Sequence, residues 1–235
     1  MTERAVDRHP HLTEARPAGW VRVDLHTHTM WSGDCTTTPD EVHAAVADAA
    51  LDVLCITDHN AVAGAERLRD ELPCRVVVGE EVRVGRGELI GLFLTERIPG
   101  GLSPLEAARR IRGQGGVVYV PHPFDPMRNG VGPHELDALV EAGLVDAIEV
   151  RNAKTSLESL NEQARRYAEV HDLAAGAGSD AHVPDALGAA YVEMPDFDGP
   201  EAFLAALRAG RVVGHHFDRA RPWRARIVPS TSTGG

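Results

Sequence analysis

Five of the six strand-like apolar runs considered first in this chain end on His, Asp or Glu. The run 21–25 leads into His26 and His28, and 53–56 leads to Asp58 and His59. Residues 76–78 precede Glu80 and Glu81, 117–120 precede His122, and 174–178 precede Asp180 and His182. The sixth run, 147–150, contains Glu149 and is followed by Arg151 and Asn152. Imidazoles and carboxylates are nitrogen and oxygen ligands for divalent metals. Residues i and i+2 of a strand face the same way, so His26 and His28 present two imidazoles side by side, with Asp24 on the same face. Asp180 and His182 repeat that spacing. Two imidazoles, an aspartate and a glutamate make a shell for one transition metal. Asp34, His59 and His182 offer donors for a second ion, with Glu81 as a bridging carboxylate. Asp58 is placed to orient His59 or another ligand from behind it. Taken singly, each residue is as readily a strand-end or capping group. Their joint placement carries the reading.

Chemistry at the ends of successive strands is expected of an α/β barrel, where it gathers at the C-terminal face. The rest of the chain alternates to match. Strands are expected at 20–26, 52–57, 75–82, 88–94, 117–120, 145–150, 174–178, 189–193 and 211–217. Helices are expected near 39–50, 61–72, 134–142, 156–171 and 200–209, with one more opened by Ser103-Pro104 and ended by Gly113, Gly115 and Gly116. Thr38 caps the first helix, with Pro39 at its first position and Glu41 three residues after the cap. The strands flanking Gly85 and Gly87 form a hairpin. In a closed barrel the first and last strands are neighbours, so the two His-containing pairs converge. One domain is expected over 19–228, after a polar leader at 1–18 and before a low-complexity tail at 229–235. His9 and His11 in the leader are expected to face solvent, and Glu80 to be exposed on the face opposite Glu81.

The length suits one barrel, and 43% hydrophobic residues suffice for its core. A formal net charge of −11 argues against a duplex nucleic-acid footprint, though not against a short oligonucleotide held by metals and a few arginines. Cys35, Cys55 and Cys74 are odd in number and lack CxxC spacing, which suits a reduced, cytoplasmic setting rather than a disulfide framework. No apolar run reaches membrane-spanning length, and the first residues lack a signal-peptide core.

These motifs resemble the PHP (polymerase and histidinol phosphatase) family. The match runs through Asp24-Leu25-His26-Thr27-His28, Ser32-Gly33-Asp34, Ile56-Thr57-Asp58-His59, Gly79-Glu80-Glu81, His122-Pro123 and Gly178-Ser179-Asp180-Ala181-His182. The resemblance implies a distorted seven-stranded (β/α) TIM-like barrel with two or three divalent ions: manganese, zinc or iron, with magnesium also admissible. Carried over by position, His26, His28, Glu81 and Asp180 would bind the first ion. Asp34, His59 and His182 would bind the second, and Glu81 and His122 would serve a third. Many family members complete the third site with a histidine after the fifth main strand. This chain has Glu149-Val150-Arg151-Asn152 there, so the third site would be weaker, use Glu149 or Asn152, or be absent. The chain looks like the short stand-alone phosphoesterases of the family.

The function expected is metal-dependent hydrolysis of a phosphate mono- or diester. Clustered ions lower the pKa of a bound water and neutralise phosphoryl charge, so a metal-bound hydroxide would be the nucleophile. Arg128, Arg151, Asn152 and Lys154 follow strand ends and are candidates for gripping phosphate, with solvated loop residues as the alternative for each. Glu149 offers itself as an ion partner for Arg151. One rival is an amidohydrolase acting on C–N bonds, which would also use HxH on the first strand and Asp on the last. The other is a metal-binding regulatory protein without catalysis. The expected partner is a small phosphorylated substrate or a short oligonucleotide, with no membrane. The sequence leaves the oligomeric state open.

Overall fold

The structure is a computed structural model, and it describes residues 9, 10 and 15–217. The expected leader falls largely, and the expected tail wholly, outside the described residues. Nine strands form one sheet: β1 Trp20–Thr27, β2 Val53–Ile56, β3 Arg75–Arg83, β4 Glu88–Leu92, β5 Val117–Val120, β6 Ala147–Asn152, β7 Ala174–Gly178, β8 Ala190–Pro195 and β9 Arg211–Gly214. The order is β7-β6-β5-β4-β3-β2-β1-β8-β9. Pairs β1–β2, β2–β3, β5–β6 and β6–β7 are parallel. Pairs β3–β4, β4–β5, β1–β8 and β8–β9 are antiparallel.

The barrel-like sheet is almost closed. Asp180 N donates to His26 O at 2.7 Å and His28 N to Ala181 O at 3.1 Å, which brings the end of β7 beside the end of β1. Lower down, β8 occupies that flank by pairing with 20–23. The nine runs read from the residues are all present, and the seven-stranded count taken from the resemblance is corrected to nine. The difference comes from antiparallel strands: β4 is a hairpin return, and β8 and β9 follow the last parallel strand.

Among the described residues six α-helices cover the sheet: α1 Pro39–Asp48, α2 Ala63–Leu68, α3 Pro104–Gly113, α4 Gly132–Glu141, α5 Glu158–Val170 and α6 Gly199–Ala209. The expected capping box opens α1, with Thr38 N donating to Glu41 Oε2 at 2.8 Å and Glu41 N to Thr38 Oγ1 at 3.4 Å. Ser103 caps α3 in the same way through Glu106 N. Each helix buries an apolar stripe, for example Val42, Ala45 and Val46 of α1 and Ala107, Ala108 and Ile111 of α3. No helix among the described residues is long and apolar enough to cross a membrane. The three cysteines are buried and form no disulfide.

Strict alternation along β1 would put Asp24 beside the imidazoles. A register shift between Asp24 and Thr27 breaks it. The Asp24 carboxylate instead accepts backbone N–H groups from Ser179 at 2.9 Å, Gly188 at 3.0 Å and His26 at 3.3 Å. It is a buried tie between β1, β7 and the segment before β8. Two exposure expectations also fail. His9 is buried, while His11 lies outside the described residues. Glu80 is buried because its carboxylate accepts Ile98 N at 2.7 Å and faces Arg97.

Candidate metal centre

The C-terminal ends of the parallel strands bring the eight expected ligands together. His26 Nε2 and His28 Nε2 lie 3.1 Å apart. Glu81 Oε2 is 3.2 Å from the first and 3.1 Å from the second. Asp180 Oδ1 is 3.8 Å from His26 Nε2 and 3.4 Å from His28 Nε2. A tetrahedral ion with bonds of about 2.1 Å sets its donors roughly 3.4 Å apart. Five donor–donor edges of this group therefore have the lengths that a bound ion would impose.

The second group is similar. His182 Nε2 is 3.2 Å and His59 Nε2 3.6 Å from Asp34 Oδ2, and these three residues gather with His28 within 4.8 Å. Glu81 faces both groups and more: its Oε2 lies 3.2 Å from His59 Nδ1, and its Oε1 lies 3.1 Å from His122 Nε2. It has the reach of a bridging carboxylate.

Three of the imidazoles are oriented by hydrogen bonds at the nitrogen turned away from the cluster. His26 Nδ1 lies 3.2 Å from Glu149 Oε1, His28 Nδ1 3.1 Å from Ser32 Oγ, and His182 Nδ1 2.8 Å from Asp180 O. A proton kept at Nδ1 of His26 and of His28 would leave each Nε2 to serve as a metal donor, whereas His182 Nδ1 also faces the Lys154 ammonium. Ser32 also donates to Asp34 Oδ1 at 3.0 Å and accepts His59 N at 3.2 Å, so one hydroxyl ties three ligands. Asp58 orients its neighbourhood differently from expectation. Its carboxylate takes Thr29 N at 2.6 Å and Thr29 Oγ1 at 2.7 Å, fixing the chain just after His28.

The cluster packs buried carboxylates against imidazoles and a lysine. Burial would raise the carboxylate pKa values of Glu81 and Asp180. Instead His26 and His59 hold Glu81, and Lys154 and His26 hold Asp180, well below the ordinary range. Asp34 is likewise depressed, against its burial, by His182 and His59. His28 is pushed down to about 4 by burial and by neighbouring His182, so it is neutral at pH 7. Burial would lower the pKa values of His26, His59, His122 and His182, but the neighbouring carboxylates raise them, so the cluster favours positive charge. The donor set, its spacing and its tautomers fit divalent metal.

The expected phosphate-gripping residues divide. Arg128 and Lys154 line a cavity of about 210 Å³ with Asp34, His59, Glu81, His122, Asp180 and His182. Lys154, the single lysine of the chain, sits with Nζ 3.0 Å from His182 Nδ1 and 3.4 Å from Asp180 Oδ1. Arg151 does not line this cavity and forms a two-pronged pair with Glu158 at 2.7 Å. Asn152 is buried behind it: its Oδ1 accepts Lys154 N and Thr155 N, and its Nδ2 donates to Glu149 and Asp180. Glu149 pairs with His26, not Arg151, and also accepts His122 N at 2.8 Å.

Two residues escaped the sequence reading. Ser32 stood in a quoted motif without a role. Glu88, which opens the second hairpin strand, is buried, lines the cavity, and lies 3.7 Å from His59 Nδ1 and 4.0 Å from His122 Nε2. The signal for Glu88 was the hairpin. Because β4 runs antiparallel to β3, its first residue, not its last, reaches the metal end. Burial and the Glu81 charge push its carboxyl up to about 7.

An almost closed α/β barrel with His, Asp and Glu clustered at its strand ends is the class that fold and site define. Residues 24–96 match the PHP domain family, and residues 158–212 match the PHP-associated family. The chain is 36% identical over 198 residues to an uncharacterized protein of Methanocaldococcus jannaschii, covering 80% of this chain and 79% of that one. The chain belongs to the PHP family.

It is similar in structure to a two-domain protein of Bacteroides vulgatus containing a predicted PHP-like metal-dependent phosphoesterase, with TM-score 0.67 and 19% identity. That likeness covers 83% of this chain and 65% of the other, so the chain spans less than two thirds of that protein. It is also similar to an amidohydrolase of Chromobacterium violaceum with bound sulfate, with TM-score 0.57 and 20% identity over 82% of this chain and 97% of that one. At these identities the structural likeness is one of fold.

Proposed function

We propose that the chain is a metal-dependent phosphoesterase. The observation that carries this reading is the meeting, in one cavity, of the metal-donor cluster with Arg128 and Lys154. His26, His28, Glu81 and Asp180 would hold one ion, and Asp34, His59 and His182 a second. A third would take Glu81 and His122, with Glu88 in place of the Glu149 or Asn152 expected from sequence, since both of those are committed to other partners. When bound, such ions supply Lewis acidity toward phosphoryl oxygens and a water of lowered pKa.

The protein's own contribution is placement and charge. Ser32 and Glu149 hold His28 and His26 in the ligand tautomer. Arg128 and Lys154 add positive charge where the phosphate oxygens of a substrate would lie. Met127 in the cavity wall is apolar, and no Phe, Tyr or Trp among the described residues lines it. That favours a small polar phosphate ester over one held by base stacking. The structurally similar Bacteroides protein contains a predicted PHP-like metal-dependent phosphoesterase, which supports the reaction class.

The test is a phosphate-release screen of mono- and diesters on metal-stripped protein to which manganese, zinc, iron or magnesium is restored. Metal-dependent release from at least one ester class is expected. Hydrolysis of amides with no release of phosphate from any ester would replace this reading with the amidohydrolase one.

A further inference from the structure

The two cations that face the donor cluster sit on separate loops, and two hydrogen bonds join those loops. Arg128 ends the short 3-10 turn Pro126–Arg128 after β5, and Lys154 follows β6. Between them, Thr155 Oγ1 donates to Asp125 Oδ2 at 2.9 Å. Asp125 is fully employed: its Oδ1 caps the turn at Met127 N, 2.9 Å away, and its carbonyl accepts Arg128 N and Gly130 N. On the other side, the Thr155 and Lys154 amides rest on Asn152 Oδ1. The carbonyl of Ala153 takes Phe217 N at 2.8 Å and His216 Nδ1 at 2.9 Å. A second link runs directly from Arg128 Nη2 to Lys154 O at 3.4 Å. Asp125 and Thr155 are both buried, yet neither lines the cavity where Arg128 and Lys154 lie.

We infer that Asp125 and Thr155 are positioning residues that lock Arg128 and Lys154 into a two-point clamp for the oxygens of a terminal phosphate. Long cationic side chains lose rotamer freedom when they grip an anion, and fixing their backbones beforehand reduces that cost. A fixed separation also selects for geometry. Two cations held beside the ions complement the dianion of a phosphate monoester better than the single charge of a diester. This inference rests on the phosphoesterase reading and names the substrate class for it.

The test uses Thr155→Val, which keeps the shape and removes the hydroxyl, with Thr155→Ser as the conservative rescue. Inorganic phosphate is titrated calorimetrically into each metal-loaded protein. Kinetics are measured on the best ester from the screen, with metal content and melting temperature measured alongside. The expected result is phosphate binding weakened about tenfold, with KM raised by a similar factor and kcat less affected. Metal per chain stays unchanged, and Thr155→Ser restores affinity.

A mere loop staple would lower the melting temperature and leave phosphate affinity alone, and that outcome overturns the proposal. If Thr155→Val does not fold, Asp125→Asn is measured in its place with the same expected loss. Wild-type protein that binds no phosphate removes the clamp. Wild-type protein that binds phosphate, loses it in Thr155→Val and hydrolyses no ester keeps the clamp and removes the phosphoesterase reading. A diester preferred over its monoester by kcat/KM would overturn the substrate class.

Discussion

At the scale of single residues, the metal centre depends on side chains that would touch no ion. Ser32 accepts from His28 and His59 and donates to Asp34, so its hydroxyl sets one tautomer and two positions. Ser32→Ala is expected to weaken binding of the more loosely held ion by about tenfold while the fold persists, as read by metal titration. Glu88→Gln tests the third position. It should leave two ions per chain and abolish the activity gained from added metal above the level that saturates them, as followed by elemental analysis and turnover against metal concentration. The clustering of the eight candidate residues was legible because metal chemistry allows few residue types and barrel geometry places them at strand ends. Ser32 and Glu88 were not, for a hydroxyl in a loop and a carboxylate opening a hairpin strand have no linear pattern. Their roles exist only once His28 and His59 are placed in three dimensions.

Among the elements, the meeting of β1 and β7 brings Asp180 beside His26. It works because β7 is built of alanine and glycine. A Cβ at Gly178 would stand 2.3 Å from His26 Cβ and 2.9 Å from His26 N, so the strands could not close as they do. Gly178→Ala should cost about 1–3 kcal/mol in denaturant unfolding and also lower metal content, since His26 must shift. At the other flank, Glu193 of β8 joins Arg22 of β1 at 3.0 Å and Arg211 of β9 at 2.5 Å. Burial would raise its pKa, but Arg211 and Arg22 hold it below the ordinary glutamate value. A depressed carboxyl contributes stability that is present above the unfolded pKa, about 4.3, and is lost as pH falls through the folded one. Glu193→Gln should therefore cost about 2 kcal/mol at pH 7 and progressively less below pH 4, as measured by urea unfolding across pH. Strand positions were readable from apolar runs and glycine punctuation. The register shift in β1 and the pairing of β8 with β1 were not, because both are settled by the partner strand. That is why Asp24 leaves the cluster and why β8 flanks the lower part of β1.

For the whole molecule, the barrel separates two tasks. Apolar clusters within and around the sheet hold the strands, and the strand ends and the loops beyond them carry the charges. The fold class and the ligand cluster were visible in sequence because this division repeats strand after strand. Which cations join the ligands was not, since Arg128 and Lys154 reach the cavity and Arg151 turns to Glu158 for reasons set by loop packing. The central claim is that the cluster is a metal centre of at least two ions assembled by the barrel. The measurement that tests it most directly is elemental analysis of metal-reconstituted, desalted protein, comparing wild type with His59→Ala and Asp180→Asn, each confirmed folded by circular dichroism. The account predicts two or more ions per wild-type chain and the loss of at least one in each variant. Less than one ion per wild-type chain, or variants that retain the full complement, would contradict it.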